Sequence, residues 1–352
     1  RHMRKGKLTQ AVLARAVLRV LERRREDIVR YPEYGCGYGA FETGGNDKGT
    51  ADEKADILSR EREHQTRRFT VTTCGSSAGF PENAPESAVR EACVQLLAAG
   101  AEPVGVTVNL ILPETFEEAE LKQLMRKLDE TAGSYGAGVL GGHTEVTGQA
   151  DQPLIAVTAV GQTERLSPAP EPDMDLVMIG TIASTAAAKL AQGARAQLSG
   201  HFSEAFLQDA AKPEEELTVP RAVKHLQSSG GCAIKAVIRG GIFAALWEMA
   251  EHAGIGLDVE LKQIPVRQET IEICEFFSLN PYQLFSTDTL LAAVPDGART
   301  VRELAAEHIP AAVIGRTTAG RERILRNGEE VRYLDKPQTD EWYRLQDKKE
   351  EV

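Results

Sequence analysis

The stretch Gly138-Val139-Leu140-Gly141-Gly142-His143-Thr144-Glu145-Val146-Thr147 constrains this chain more than any other. An apolar strand runs into two adjacent glycines, and three side chains that can donate, accept or ligate follow. Paired glycines at a strand end open backbone conformations closed to other residues and let another group come close. The pattern predicts a ligand-facing turn carrying His143, Thr144 and Glu145; a tight turn with a polar tip reads the same way. Its neighbours decide between the two.

Upstream, Arg68–Thr73 alternates as a strand does, and Cys74-Gly75-Ser76-Ser77-Ala78-Gly79 follows as a glycine loop. Residues 85–99 carry Val89, Cys93, Leu96 and Leu97 on one helical face, and 103–112 read as a buried strand. A helix over 116–135, the paired-glycine element and a strand over 154–160 complete an α/β layer. Near the start, 8–27 have a helical rhythm. Tyr34–Ala40 is a glycine-dense loop without a Gly-Lys-Ser/Thr ending, so it is no Walker loop. Residues 42–67 are polar and predict an exposed insertion with one helix over 51–63.

Three prolines within 167–173 mark a domain boundary. Beyond it come strands at 176–180 and 233–238, helices over 184–192, 203–211 and 219–228, and Gly240-Gly241 opening a helix over 242–253. The division is 5–166, with the insertion 42–67 inside it, 174–334, and a charged, loose tail over 335–352.

With 42% apolar residues among 352, the chain can bury two cores. Its formal charge of −11 disfavours nucleic acid and anionic membrane as partners. No apolar run reaches membrane-spanning length and no signal pattern opens the chain, so a cytoplasmic protein is expected. Five cysteines (Cys36, Cys74, Cys93, Cys232, Cys274) are scattered without a Cys-x-x-Cys pair, which argues against a disulfide framework or a zinc ribbon. Cys93 and Cys274 read as core, and Cys232 as core or cleft. His201, His225, His252 and His308 fall on polar helix faces and read as exposed, as does His64 in the insertion.

Residues 97–104, 141–147, 240–248 and 264–270, in that order and spacing, resemble the aminoimidazole ribonucleotide (AIR) synthetase-like superfamily. The chain looks closest to its AIR synthase-related, hydrogenase-maturation-factor-E-like branch. The resemblance implies a two-domain α/β fold: an N-terminal domain whose strands join a second copy in a dimeric β-barrel, and a C-terminal α/β domain packed over it. It further implies ATP and magnesium in the inter-domain cleft and a phosphorylated intermediate, which the hydrogenase factor uses to dehydrate a thiocarboxamide.

Against that pattern the acids are missing. Where the family reads Gly-Glu-Asp-Ala, this chain has Gly37-Tyr38-Gly39-Ala40; where it reads Thr-Asp, Thr73-Cys74; where Asn-Asp, Val94-Gln95. An Asp-x-Thr becomes Ala236-Val237-Ile238-Arg239, and a Glu-Gly-Thr becomes Thr185-Ala186-Ala187. Magnesium demands hard oxygen ligands, so ordinary ATP-magnesium chemistry is not expected. The sites carried over are Glu145, His143 and Cys74 as catalytic candidates, and Gly37, Gly39, Gly75, Gly141, Gly142, Thr144, Arg239, Gly240 and Gly241 as ligand-binding ones. Arg239 beside a helix N-terminus suits an anion or a surface salt bridge.

Three functions remain open. One is a divergent family member whose cleft takes a small anionic or phosphorylated ligand. Another is a non-catalytic scaffold, or partner subunit of an active paralogue. The third is a thiol or soft-metal site of Cys36 and Cys74 with His143; both thiols also read as plain packing. A homodimer is expected.

Overall fold

Period-two burial along three long strands builds the first layer. In the computed structural model, Val71, Thr73 and Gly75 face inward from one strand, Val106, Val108, Leu110 and Leu112 from a second, and Ile155, Val157 and Ala159 from a third. The structure describes residues 6–43, 67–78, 85–212, 218–287 and 289–345. The predicted helix over 51–63 and His64 lie outside them.

In chain order the first layer runs α1 (Gln10–Ala16), β1 (Ile28–Arg30), β2 (Tyr38–Glu42), β3 (Phe69–Ser76), α2 (Pro85–Ala98), β4 (Glu102–Leu112), α3 (Glu118–Ser134), β5 (Gly138–Val146) and β6 (Leu154–Thr163). Its sheet has the order β1-β2-β3-β6-β4-β5. Helices α2 and α3 cover one face; the other, carrying Cys74, Thr107, Asn109 and Ala156, is exposed.

The second layer begins with β7 (Asp175–Ile179), α4 (Ser184–Gly193), α5 (Arg195–Leu198), α6 (Glu204–Ala210), α7 (Thr218–Ser229) and β8 (Ala233–Ala236). It continues with α8 (Gly241–Ala253), β9 (Gly256–Glu260), α9 (Gln268–Phe276), β10 (Leu290–Val294), α10 (Gly297–Ala306), β11 (Ala311–Thr318), β12 (Arg323–Asn327) and β13 (Glu330–Tyr333). Its seven strands are ordered β13-β12-β9-β11-β7-β10-β8, and alternate residues of β7 and β10 feed two different cores. Strands buried on both faces lose polar alternation, and β10 is buried at every position.

Helix α2 joins the layers. Ala88, Val89, Ala92, Cys93, Val94 and Leu96 are all fully buried, so the helix is covered on most of its circumference. It packs on β3 and β6 on one side and faces α7 and β8 on the other, within one continuous core.

Four expectations are corrected. The predicted helix over 8–27 shrinks to α1 and a single turn at Leu18–Val20; neither buries a residue, and so short a helix does not stand on propensity. The Tyr34–Ala40 loop ends in a strand, because Tyr38–Glu42 pairs with β3. The glycines at 141 and 142 do not turn the chain: β5 continues through them beside β4, with the register shifting at Leu140. A Cβ at Gly142 would stand 1.9 Å from the Val108 carbonyl oxygen, so this glycine serves strand-to-strand approach. Finally, the tail is not loose as far as Leu345: Asp340, Glu341 and Trp342 are buried, with the Trp342 ring edge-on to Phe285.

Candidate functional site

Glu248 is the residue around which the inter-domain cavity is built. It lies on α8 among Leu246, Trp247, Met249 and Ala250, and only 6% of it is exposed. A buried carboxylate needs partners, and two ammoniums supply them. Lys235 of β8 stands 2.8 Å away, and Lys7 reaches it from the N-terminal segment. Burial pushes the carboxyl upward, but Lys235 and Lys7 overcome this and hold it at about 2. Lys235 also donates to the Gly35 carbonyl (2.8 Å), which ties the Tyr34–Tyr38 loop to the second layer.

A cavity of about 300 Å³ opens between these groups. Gly35, Cys36, Gly37, Cys74, Glu91 and Gln95 line it from the first layer, and Lys235, Arg239, Glu248 and His252 from the second. Such a position between domains is where small-molecule sites tend to form. Gln95 donates to the Cys74 carbonyl (2.9 Å) and to that of Glu91 (3.0 Å), so two of the positions that lack the family's acids touch each other.

Arg239 is not a free anion anchor. Its guanidinium binds both carboxylate oxygens of Glu91 (3.0 and 3.1 Å), the Ala78 carbonyl (2.7 Å) and the Ser76 carbonyl (2.5 Å). Burial works against its charge, and Glu91 prevails, raising its pKa. Arg239 therefore clamps α8 to α2 and the end of β3. The adjacent Gly240 amide is occupied as well: it donates to Asp340 (2.6 Å). Burial raises the Asp340 carboxyl to about 6, against the pull of the Gly240 and Trp342 amides and Arg239. Gly241 is packed on the Tyr282 and Leu284 carbonyls.

His252, expected to be exposed, is half-buried at the cavity wall and pairs with Glu33. Burial lowers its pKa, with Glu33 opposing. His225 is likewise not exposed: its ring is held between Glu303 (3.2 Å) and Glu307 (3.0 Å).

Of the sequence-predicted site residues, Gly37, Cys36, Cys74 and Arg239 meet at this cavity. Gly39 sits within β2 opposite Thr72 and does not line it. Gly75 is a packing residue; a Cβ there would meet the Ala88 carbonyl oxygen at 2.0 Å. Gly141, Gly142, His143, Thr144 and Glu145 lie on β5, at the far edge of the sheet. His143 and Glu145 are exposed and pair with each other (3.2 Å). Register places them on the open face that Cys74 also occupies: Cys74 lies opposite Thr158, Thr158 opposite Thr107, and Thr107 opposite Gly141. Three strand spacings, about 14 Å, separate the two ends of that row. Cys36, Cys74 and His143 therefore do not gather within one chain. Among the described residues no three His, Cys, Asp or Glu side chains converge to hold a metal. Burial also pushes the Cys36 thiol up, which keeps thiolate scarce. Cys93 and Cys274 are core residues, both pushed by burial to about 12. Cys232 is buried and lines a separate groove, with its thiol donating to the Gly230 carbonyl.

Glu248, Lys235, Lys7 and Glu91 were not singled out from the sequence, and Gln95 only as a position that lacks the family's acid. One signal was present: Glu248 interrupts the apolar run from Ile242 to Ala250, and a charge there has to be paired.

Comparison with known proteins follows the same division. The AIR synthase related protein N-terminal domain matches residues 67–163, and the corresponding C-terminal domain matches 172–326. A carbamoyl dehydratase HypE from Rhizobium leguminosarum is 28% identical over 271 residues, 72% of this chain and 74% of that one. The chain spans between 63% and 74% of the length of the first curated relatives. Among solved structures, HypE of E. coli superposes with a TM-score of 0.66 at 22% identity, covering 84% of this chain and 93% of the other. The structure of a HypE–HypF complex gives 0.61 at 19%, covering 76% and 90%. Among the described residues no helix is long and apolar enough to cross a membrane. With both domain models matched in order on the observed two-layer fold, this chain belongs to the AIR synthase related family, and the relatives it is similar to include members of the hydrogenase-maturation-factor-E-like branch.

Proposed function

We propose that this protein is a divergent, dimeric member of that branch whose inter-domain cleft takes a small anionic ligand without the family's usual ATP-magnesium arrangement. The inter-domain position of the cavity supports a small-ligand site, and the observation that carries the departure from the usual arrangement is the cavity's charge balance. Its three cations, Lys7, Lys235 and Arg239, are each engaged by Glu248 or Glu91. A triphosphate with its dication needs free cations and several hard oxygen ligands. Here the matching positions carry a thiol and an amide, Cys74 and Gln95, and the two buried carboxylates are held by the cations. The residues present do not fit magnesium-ATP.

A second reading, a non-catalytic partner subunit, is favoured by the same charge balance. One structural neighbour was solved in complex with another protein, HypF, and a heteromeric partner for this chain belongs to that reading. In the dimeric reading, Gly141–Glu145 on an edge strand serve the cleft only through a second copy. Glu145 and His143 are then the residues one copy lends to the other.

The test is calorimetric titration of ATP, with and without magnesium, into the wild type and Glu145→Ala. The expected result is no magnesium-dependent heat at millimolar ATP. Micromolar, magnesium-dependent binding that disappears in Glu145→Ala overturns the proposal and restores the ordinary chemistry.

A further inference from the structure

The charges around the inter-domain cavity pair off with one left over. Three carboxylates line it: Glu33, Glu91 and Glu248. Glu33 has Arg30 at 3.7 Å and His252 beside it, Glu91 has Arg239 at 3.0 Å, and Glu248 has Lys235 at 2.8 Å. Each acid thus has a cation of its own from the folded layers. Lys7 is the fourth cation. It shares Glu248 with Lys235 and makes no other bond among the described residues. An ammonium carries three N–H donors, so Lys7 keeps two; Lys235, which also holds the Gly35 carbonyl, keeps one. The Glu248 side chain is 8% exposed and that of Lys7 48%, so the acid is closed off and the surplus cation is reachable. Much of the remaining lining is apolar, with Ala98, Ile234, Ala236, Ile238 and Met249 on the same cavity.

We propose that Lys7 and Lys235 form the anion seat of this cleft and that its ligand is a small monocarboxylate, with one anionic group bridging the two ammoniums and a short apolar body against the aliphatic lining. The inference rests on the reading of the cleft as a ligand site, and adds to it the residues and the chemical class. One surplus positive charge answers one negative charge. A second charge on the ligand would meet cations that already face carboxylates, and would stand close to Glu248 and Glu91 as a like charge. An aliphatic lining gains from covering hydrocarbon and offers nothing to a compact, fully hydrated inorganic anion. The volume, about 300 Å³, suits a ligand at the small end of the usual range. Helix α1, which follows Lys7, buries no residue, so an anion held by Lys7 also ties down a segment with few other attachments.

Calorimetric titration of butanoate, and separately of inorganic phosphate, into the full chain tests this, with Lys7→Met and Lys7→Arg as variants. Lys7→Met keeps the apolar stem and leaves Glu248 paired with Lys235, and Lys7→Arg keeps the charge, which separates loss of the seat from general damage. The wild type is expected to bind butanoate in the millimolar range and more tightly than phosphate. Lys7→Met is expected to weaken butanoate about tenfold or more, the size of a lost charge-assisted bond, and Lys7→Arg to retain it. Butanoate should also slow hydrogen exchange over residues 7–16 in the wild type and leave it unchanged in Lys7→Met. Equal butanoate binding by the wild type and Lys7→Met overturns the seat while leaving the cleft an anion site. Phosphate bound more tightly than butanoate overturns the ligand class. Silence of both anions at high millimolar concentration overturns this inference together with the reading of the cleft beneath it.

Discussion

Glu248 carries a consequence larger than its one charge. It ties the N-terminal segment, through Lys7, to the second layer, through Lys235. Replacing it by Gln leaves two ammoniums facing a neutral amide in a largely buried place. Removing one member of a buried ion pair costs about 3–5 kcal/mol, and urea denaturation of Glu248→Gln should show a loss of that order. Early cleavage within residues 6–30 should accompany it; an unchanged midpoint would mean that Lys7 and Lys235 find other partners. The pH dependence has a definite sign. The folded value, about 2, lies below the ordinary 4.5, so the pair's contribution is complete above pH 4.5 and is lost as pH falls towards 2. Glu248→Gln should flatten that part of the acid denaturation curve. At this scale the sequence was only partly legible. The absent acids at Cys74 and Gln95 could be read from a pattern, and they meet at the cavity. Arg239 was read as one of two things and proved to be the internal one, because its partner Glu91 stands 148 positions away. No local pattern reports a pair formed between two domains.

At the scale of elements, the long strands and helices were readable and the short or edge pieces were not. The strands over 102–112 and 154–163 alternate, and α2 and α8 have apolar faces, so packing and pattern agree. The β1 and β2 strands escaped notice because three glycines within 35–39 imitate a loop. The tail escaped because its charges look solvated, whereas Asp340 and Glu341 turn inward to backbone amides. For Asp340 the folded pKa is raised, to about 6 from an ordinary 3.8. The docking of segment 336–345 through Asp340 is therefore fully stabilised below pH 3.8, and that contribution is lost as pH rises through about 6. One pKa unit is about 1.4 kcal/mol, so the effect is on the order of 3 kcal/mol. After correction for intrinsic rates, exchange of 336–345 should accelerate between pH 5 and pH 7 (roughly the span around that value), and Asp340→Asn should show no such step. A step of equal size in both proteins would assign it to another group.

Among the described residues, the first layer leaves one sheet face bare. Cys74, Thr107, Asn109, Ala156, His143 and Glu145 lie across it, and Leu154 and Leu140, 49% and 60% exposed, stand near its margin. A sheet face left bare within one chain and bordered by exposed leucines suits burial against another sheet. Sedimentation should show a dimer for the wild type and a monomer for the double variant Leu140→Lys, Leu154→Lys. A wild type that sediments as a monomer at micromolar concentration would remove the shared-site reading of Glu145 and His143. The fold class and family were legible from four spaced segments because those segments hold the packing; the partner was legible only by resemblance, since a single sequence does not say what covers a face.

Helix α2, wedged between the two layers, also determines how this molecule exchanges what it binds. Swinging the layers apart would bare a helix whose side chains are fully buried on both sides, at about 1.5–3 kcal/mol for each large one. The usual clam-shell gesture of two-domain proteins is thereby denied to it. Traffic is then left to the segments that wall the adjoining cavity, residues 7–14 and 336–343, so the tempo of entry and exit is set by local rearrangement rather than by moving masses.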